Sequence, residues 1–192
     1  MAKRESTFTN MLVTLFVVTL VASTALAYVY EITKEPIEAA KLAKKLAAID
    51  QVVSEYDNNP VEDMYSISTL TGSDSLEVYP ARKNGELTGV AIRSFSKNGY
   101  NGLVWIMVGL KPDGEINDVA VIEHKETPGL GNKMSDPKFK NQFRNLDPKK
   151  ENLTVKKDGG NIDAITAATI SSRAFCDAVQ LAVASYEKGG LR

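Results

Sequence analysis

Two threonines separated by two alanines, Thr166-Ala167-Ala168-Thr169, stand directly ahead of an apolar helical pattern at residues 173–186. A helix start carries unpaired N–H groups and the positive end of the macrodipole, which together favour a phosphate. The hydroxyl of Thr169 is then placed to bind a phosphate or to be esterified by one. The competing role is an ordinary N-cap, for which Thr and Ser are preferred. A second group, Glu126-Thr127-Pro128-Gly129-Leu130-Gly131, follows a strand pattern. Pro128 fixes φ there, and Gly129 and Gly131 let the backbone approach a flat ligand closely. A plain surface turn would use the same residues. His124 and Cys176 are the single histidine and cysteine of the chain. One of each cannot build a zinc site, an iron–sulfur cluster or an internal disulfide, so redox chemistry needs an organic cofactor. No side chain is assigned a catalytic role. His124 is a candidate cofactor contact or proton donor set against a structural place at a strand end, and Cys176 reads as a small core residue.

The elements that position these groups come from periodicity. Segments 76–82 and 87–95 flank Lys83-Asn84-Gly85-Glu86, and Asn-Gly is a strong hairpin signal. Segments 103–110 and 116–123, separated by Pro112-Asp113-Gly114, add two more strands. Four strands with short turns predict an antiparallel meander, with 153–157 as a fifth strand and 57–74 a turn-rich loop holding one short extended piece. Residues 136–146 and 169–188 are predicted helical, the latter with Phe175, Val179, Ala182 and Tyr186 on its core face. The fold class is α+β, a twisted antiparallel sheet with packing helices.

Ahead of this domain, 11–30 form a mostly apolar block of 20 residues, long enough to cross a hydrocarbon core of about 30 Å. Lys3 and Arg4 precede the block and Glu31 and Glu35 follow it, which places the N-terminus in the cytoplasm and the rest outside. Ala25-Leu26-Ala27 also has the form of a signal-peptide cleavage site. The retained anchor is preferred, because the apolar stretch runs on through Tyr30. Residues 1–10 are then a cytoplasmic tail, 11–30 a transmembrane anchor, 31–56 an amphipathic stalk and 57–192 an exported domain. Within the stalk a second helix is predicted over 34–56, with Pro36 in its first turn and Ala39, Leu42, Leu46, Ile49, Val53 and Tyr56 along one seam. Net charge is −1, from 23 basic and 24 acidic side chains, with no basic stripe of the kind a nucleic-acid partner requires.

The pattern Asp163-x-x-Thr166-Ala167-Ala168-Thr169-x-Ser171 resembles the flavinylation motif of the FMN-binding domain family, usually Asp-x-x-Ser/Thr-Gly-Ala-Thr. The loop Glu126 to Gly131 is similar to that family's other recurrent segment. The resemblance implies that Thr169 carries FMN through a phosphoester and that Thr166, Ala167 and Ala168 leave room for the phosphate. It also implies that Glu126, Thr127, Gly129 and Leu130 serve the isoalloxazine ring. A separate flavin transferase, using FAD and Mg²⁺, is implied to make the bond, with Asp163 and Ser171 within its recognition sequence. Ala167 stands where the family usually has Gly, a departure that matters only if the site needs φ > 0.

In layout the chain resembles the G subunit of the Rnf ion-translocating ferredoxin:NAD⁺ oxidoreductase complex. An alternative is the C subunit of the sodium-translocating NADH:quinone reductase, usually a longer chain. The implied work is electron relay between partner subunits in the inner membrane, with lipid around the anchor. The chain lacks the glycine-rich nicotinamide fingerprint, so electron entry and exit belong to partners. A different class, an exported assembly or binding module with an unused flavin site, draws its support from Ala167.

Overall fold

A computed structural model describes residues 7–69, 72 and 74–189. Lys3 and Arg4, on which the predicted orientation rests, lie outside the described residues. The chain divides into two compact units, Met1–Lys44 and Lys45–Arg192. The first contributes most of helix α1 (Phe8–Val52), whose apolar part is long enough to cross a membrane by length and composition. Hydroxyls within that part turn back onto the helix. Thr14, Thr19, Ser23 and Thr24 donate to the carbonyls four residues earlier at 2.6–2.9 Å. Each polar group is thereby satisfied without water.

The two helical segments read from the sequence are one helix. Pro36 lies inside α1. No glycine or turn cluster separates the segments, and the Ala-, Lys- and Leu-rich flanks propagate the helix across the single missing donor. The expected seam is also shorter: Ile49 and Val53 are buried, whereas Leu42 and Leu46 are exposed.

The second unit is built on a five-stranded antiparallel meander, β1 (Tyr65–Ser68), β2 (Ser75–Lys83), β3 (Glu86–Gly99), β4 (Gly102–Leu110) and β5 (Ile116–His124), in chain order across the sheet. Asn84 and Gly85 both adopt positive φ, 53° and 83°, the twist-matched turn that the Asn-Gly pair predicts. Both faces of the sheet are covered, so β4 is apolar almost throughout. On one face Val90, Ile92, Ile106 and Val108 pack under helix α3 (Thr169–Gly189), where Ser94 donates to the Ala178 carbonyl at 2.7 Å. On the other face Tyr79, Ala81, Ala91, Met107 and Ala120 meet Ala48, Ile49, Val52 and Val53. A Cβ at Gly109 would collide with the Val52 carbonyl, so glycine sets how closely the last turn of α1 seats.

Two predicted elements are corrected. The fifth strand is β1, the short extended piece expected within 57–74, and not 153–157. Residues 153–157 contribute only a lone parallel bridge, Val155 to Ile162, because the chain turns back through Gly159, φ 86°. The helix expected at 136–146 breaks into short α2 (Pro137–Lys140) and a 3-10 turn, Asn141–Phe143, and Asn145 then takes φ 54°. The left-handed turn at Asn145 closes the segment, and Phe139 and Phe143 both pack on Phe175 of α3, with ring centroids 5.3 and 5.1 Å away.

Candidate functional site

The helix start predicted at Thr169 is where α3 begins. Residues 165–168 form a β-turn closed by the Ala168 N–H donating to the Ile165 carbonyl at 3.0 Å. Within it Ala167 has φ 61°. Positive φ at the third turn position alone is the signature of a type II turn, for which glycine is the usual residue. The condition under which the departure from Gly matters is therefore met: the site does need φ > 0, and alanine supplies it under strain. Ser172 holds the turn to the helix. Its hydroxyl accepts from the Ile165 N–H at 2.9 Å and donates to the Ala168 carbonyl at 3.0 Å. Thr169 is the first residue of the helix, so its hydroxyl does not stand at the N-cap. Its half-exposed hydroxyl accepts instead from Lys157 Nζ at 3.3 Å. A hydroxyl, a lysine and a helix N-terminus at one place form a donor set suited to a phosphate group.

The second motif is joined to the first by a buried carboxylate. Glu126 and Ser171 are 5 % and 2 % exposed, and Ser171 donates to Glu126 Oε2 at 2.7 Å. The other carboxylate oxygen accepts from the backbone N–H of Asn101 at 3.2 Å. A Cβ at Gly131 would collide with both Ser171 Oγ and Glu126, so that glycine is fixed by close approach. Thr127 is half-buried and accepts from Asn101 Nδ2 at 3.3 Å, while Pro128, Gly129 and Leu130 face outward. Gly129 has φ 78°, and its N–H donates to Asn132 Oδ1 at 2.7 Å. Glu126 is thus a brace between motif, loop and hairpin, while Thr127, Gly129 and Leu130 are placed to meet a ligand.

Beside the turn lies a cleft of about 570 Å³ lined among others by Phe139, Gln142, Ile165 and Thr166, with Lys133 and Lys138 at its margin. That volume is in the range of small-ligand sites, about 300–1,000 Å³. Asp163 is exposed and pairs with Lys156 at 2.8 Å. Gln142 pins its backbone, accepting from the Asp163 N–H at 2.7 Å and donating to the carbonyl at 3.2 Å. On the other side of Thr169, Arg173 clasps Asp158 with two bonds of 2.7 and 2.8 Å, and this hydrogen bonding holds the Asp158 carboxyl below its usual range. Lys157, between these pairs, is left to face Thr169. The hydroxyl, the lysine and the helix start at Thr169 suit the phosphate end of a flavin mononucleotide.

His124 closes β5, and its Nδ1 accepts from the Glu126 N–H at 3.1 Å. It shapes the entry to the loop. Cys176 is buried in α3, and burial, with Asp177 nearby, pushes its thiol up to about 12. It is a core residue with little thiolate character. Asn101, Gln142 and Lys157 escaped the sequence reading. Asn101 carries a partial signal, since a glycine-flanked hairpin tip that begins on an apolar strand marks a close contact. Lys157 carries none, being one of many exposed lysines.

The FMN-binding domain family matches this chain over residues 99–184. The G subunit of the Na⁺-translocating ferredoxin:NAD⁺ oxidoreductase complex of Acetobacterium woodii is 33 % identical over 184 residues, covering 90 % of this chain and 88 % of the relative. The G subunit of the ion-translocating oxidoreductase complex of Pseudoalteromonas atlantica is 37 % identical over 179 residues, covering 88 % and 83 %. Among solved structures, Shewanella oneidensis NqrC aligns with TM-score 0.47 at 21 % identity, over 70 % of this chain and 65 % of that one. The C subunit of the Na⁺-translocating NADH-quinone reductase of Parabacteroides distasonis aligns with TM-score 0.48 at 20 % identity, over 70 % of each.

Proposed function

The chain belongs to the family of G subunits of ion-translocating oxidoreductase complexes, and from that premise we propose that it is the complex's electron-transferring flavoprotein subunit, with FMN esterified to Thr169. Bound FMN would supply the electron carrier that the side chains cannot. The observation that carries this reading is the Thr169 hydroxyl at the start of α3, turned to Lys157 at 3.3 Å. Lys157 and the first N–H groups of α3 would hold the phosphate, and Thr166 and Ala167 leave its approach open. Thr127, Gly129 and Leu130 would hold the ring, while Glu126 keeps their loop against the motif.

Attraction at a helix start contributes about 0.3–1 kcal/mol, at most about 2. That is too little to retain a soluble flavin where the free pool is small. A covalent bond removes the dependence on that pool. The domain is proposed to lie outside the cytoplasmic membrane, from Lys3 and Arg4 ahead of the apolar segment. Its partners are the other subunits of the complex and, during maturation, a flavin transferase.

The test is mass spectrometry of the chain purified from native membranes. The peptide containing Thr169 is expected to carry one FMN less one water, and Thr169→Val to lack it while remaining folded. An unmodified Thr169 peptide from cells expressing the transferase would overturn the proposal.

A further inference from the structure

Thr169 and Arg173 stand one helical turn apart on α3, so their side chains share a face. They meet two consecutive residues of the 3-10 turn Lys156–Asp158. Lys157 donates to the Thr169 hydroxyl, and Asp158 accepts from Arg173 Nε and Nη2 at 2.7 and 2.8 Å. The backbone of the turn is tied to its own base. The Asp158 N–H donates to the Val155 carbonyl and the Lys156 N–H to the Ile162 carbonyl, each at 2.8 Å. Among the described residues no backbone hydrogen bond joins the turn to α3. The side-on clasp of Arg173 on Asp158 is therefore what fixes the turn against the helix. On the other shoulder Lys156 is held by Asp163 at 2.8 Å. Three cations and two carboxylates meet here, and with both carboxylates taken Lys157 brings the unmatched charge to Thr169. A single exposed ion pair adds little to stability, but a two-bond guanidinium–carboxylate contact fixes orientation.

We infer that Asp158 and Arg173 are positioning residues: their clasp locks the turn at 156–158 to α3, so that Lys157 stays on the phosphate carried by Thr169. This rests on the reading of Thr169 as the FMN acceptor and adds what keeps the compensating charge in place. A lysine ends in a point charge on a flexible four-carbon stem, and free rotation of that stem carries the ammonium away from any one partner. Fixing its backbone one residue from the clasp limits where the ammonium reaches. The clasp also keeps Arg173 occupied, so that the guanidinium does not take the phosphate in place of Lys157.

Lysine acylation reads this directly, because an ammonium paired with a phosphate reacts slowly. The full-length chain, made with its transferase and purified in detergent, is measured by mass spectrometry for FMN and for the acylation rate of Lys157. Thr169→Val, which carries no phosphate, sets the unprotected rate. In the parent Lys157 is expected to react several-fold more slowly than in Thr169→Val. Asp158→Asn is expected to keep its FMN and its urea unfolding midpoint, yet to lose most of that protection. The exchanged pair, Asp158→Arg with Arg173→Asp, is expected to recover part of it, which a general loosening of the fold would not allow. With FMN present in the parent, three results would overturn this inference alone: equal rates in the parent and Thr169→Val, full protection in Asp158→Asn, or an Asp158→Asn chain without FMN. FMN absent from the parent would overturn the flavoprotein reading and this inference with it.

Discussion

Replacing Ala167 by glycine is expected to stabilise the domain, against the usual effect of an alanine-to-glycine change. An L-residue in the left-handed region suffers about 1–2 kcal/mol of steric cost that glycine avoids. Ala167 sits there at φ 61°. Glycine in turn widens the unfolded ensemble, which costs about 0.4–1 kcal/mol. The methyl group is exposed, so its removal forfeits little packing. The balance is a gain of about 0.5–1 kcal/mol, or about 1–4 °C in Tm for a domain of this size. Trp105 is the only tryptophan and a convenient reporter. Its ring lies 5.0 Å from that of Phe95 and 4.0 Å from the Arg93 guanidinium, an environment lost on unfolding. Urea titration followed by Trp105 fluorescence, on full-length chain in detergent, gives the difference directly. Ala167→Val is the complementary change, since a β-branched residue at positive φ is more strained than alanine. An Ala167→Gly variant no more stable than its parent, or an Ala167→Val variant as stable, would refute the type II turn as the source of strain.

Glu126→Ala removes the acceptor from Ser171 and from the Asn101 N–H, and is expected to cost about 1–3 kcal/mol in the same titration. Glu126→Gln, which keeps an acceptor oxygen, is expected to cost less; equal losses would show that the bonds do not matter. Glu77 provides a pH dependence. Burial alone would raise its carboxyl, but the Tyr79 hydroxyl, Arg93 and Lys45 together hold it below its ordinary value of 4.5. A carboxyl lowered on folding stabilises above its unfolded pKa, and that stability is lost as pH falls through the folded value. Acidification from about pH 4.5 downward is therefore expected to weaken the parent more steeply than Glu77→Gln, and the two stability curves to approach one another. Parallel curves would assign Glu77 no part in acid unfolding.

Much of the fold was legible because it depends on short-range rules. Asn84-Gly85 specifies a turn wherever it falls between strands. The 3.6 period of Phe175, Val179, Ala182 and Tyr186 specifies which side of α3 is buried. The elements that misled were those whose local pattern is weak: the fifth strand expected at 153–157, the broken helix near Phe139, and the proline at position 36. In each, packing or the flanking sequence outweighed the local signal.

The site divides in the same way. The order and types of the two motif segments carried the family resemblance, and with it the expected ligand, because both segments are local features of the chain. Their union through Ser171 and Glu126 was not readable, nor was the lysine that faces Thr169 or the hairpin tip tied to Thr127. Such contacts join residues remote in sequence, and no periodicity records which distant backbone will arrive beside them. The sign of φ at Ala167 belongs to this second group as well. Alanine as a residue type argues for right-handed geometry, and only the closure of the turn between Ile165 and α3 forces it across.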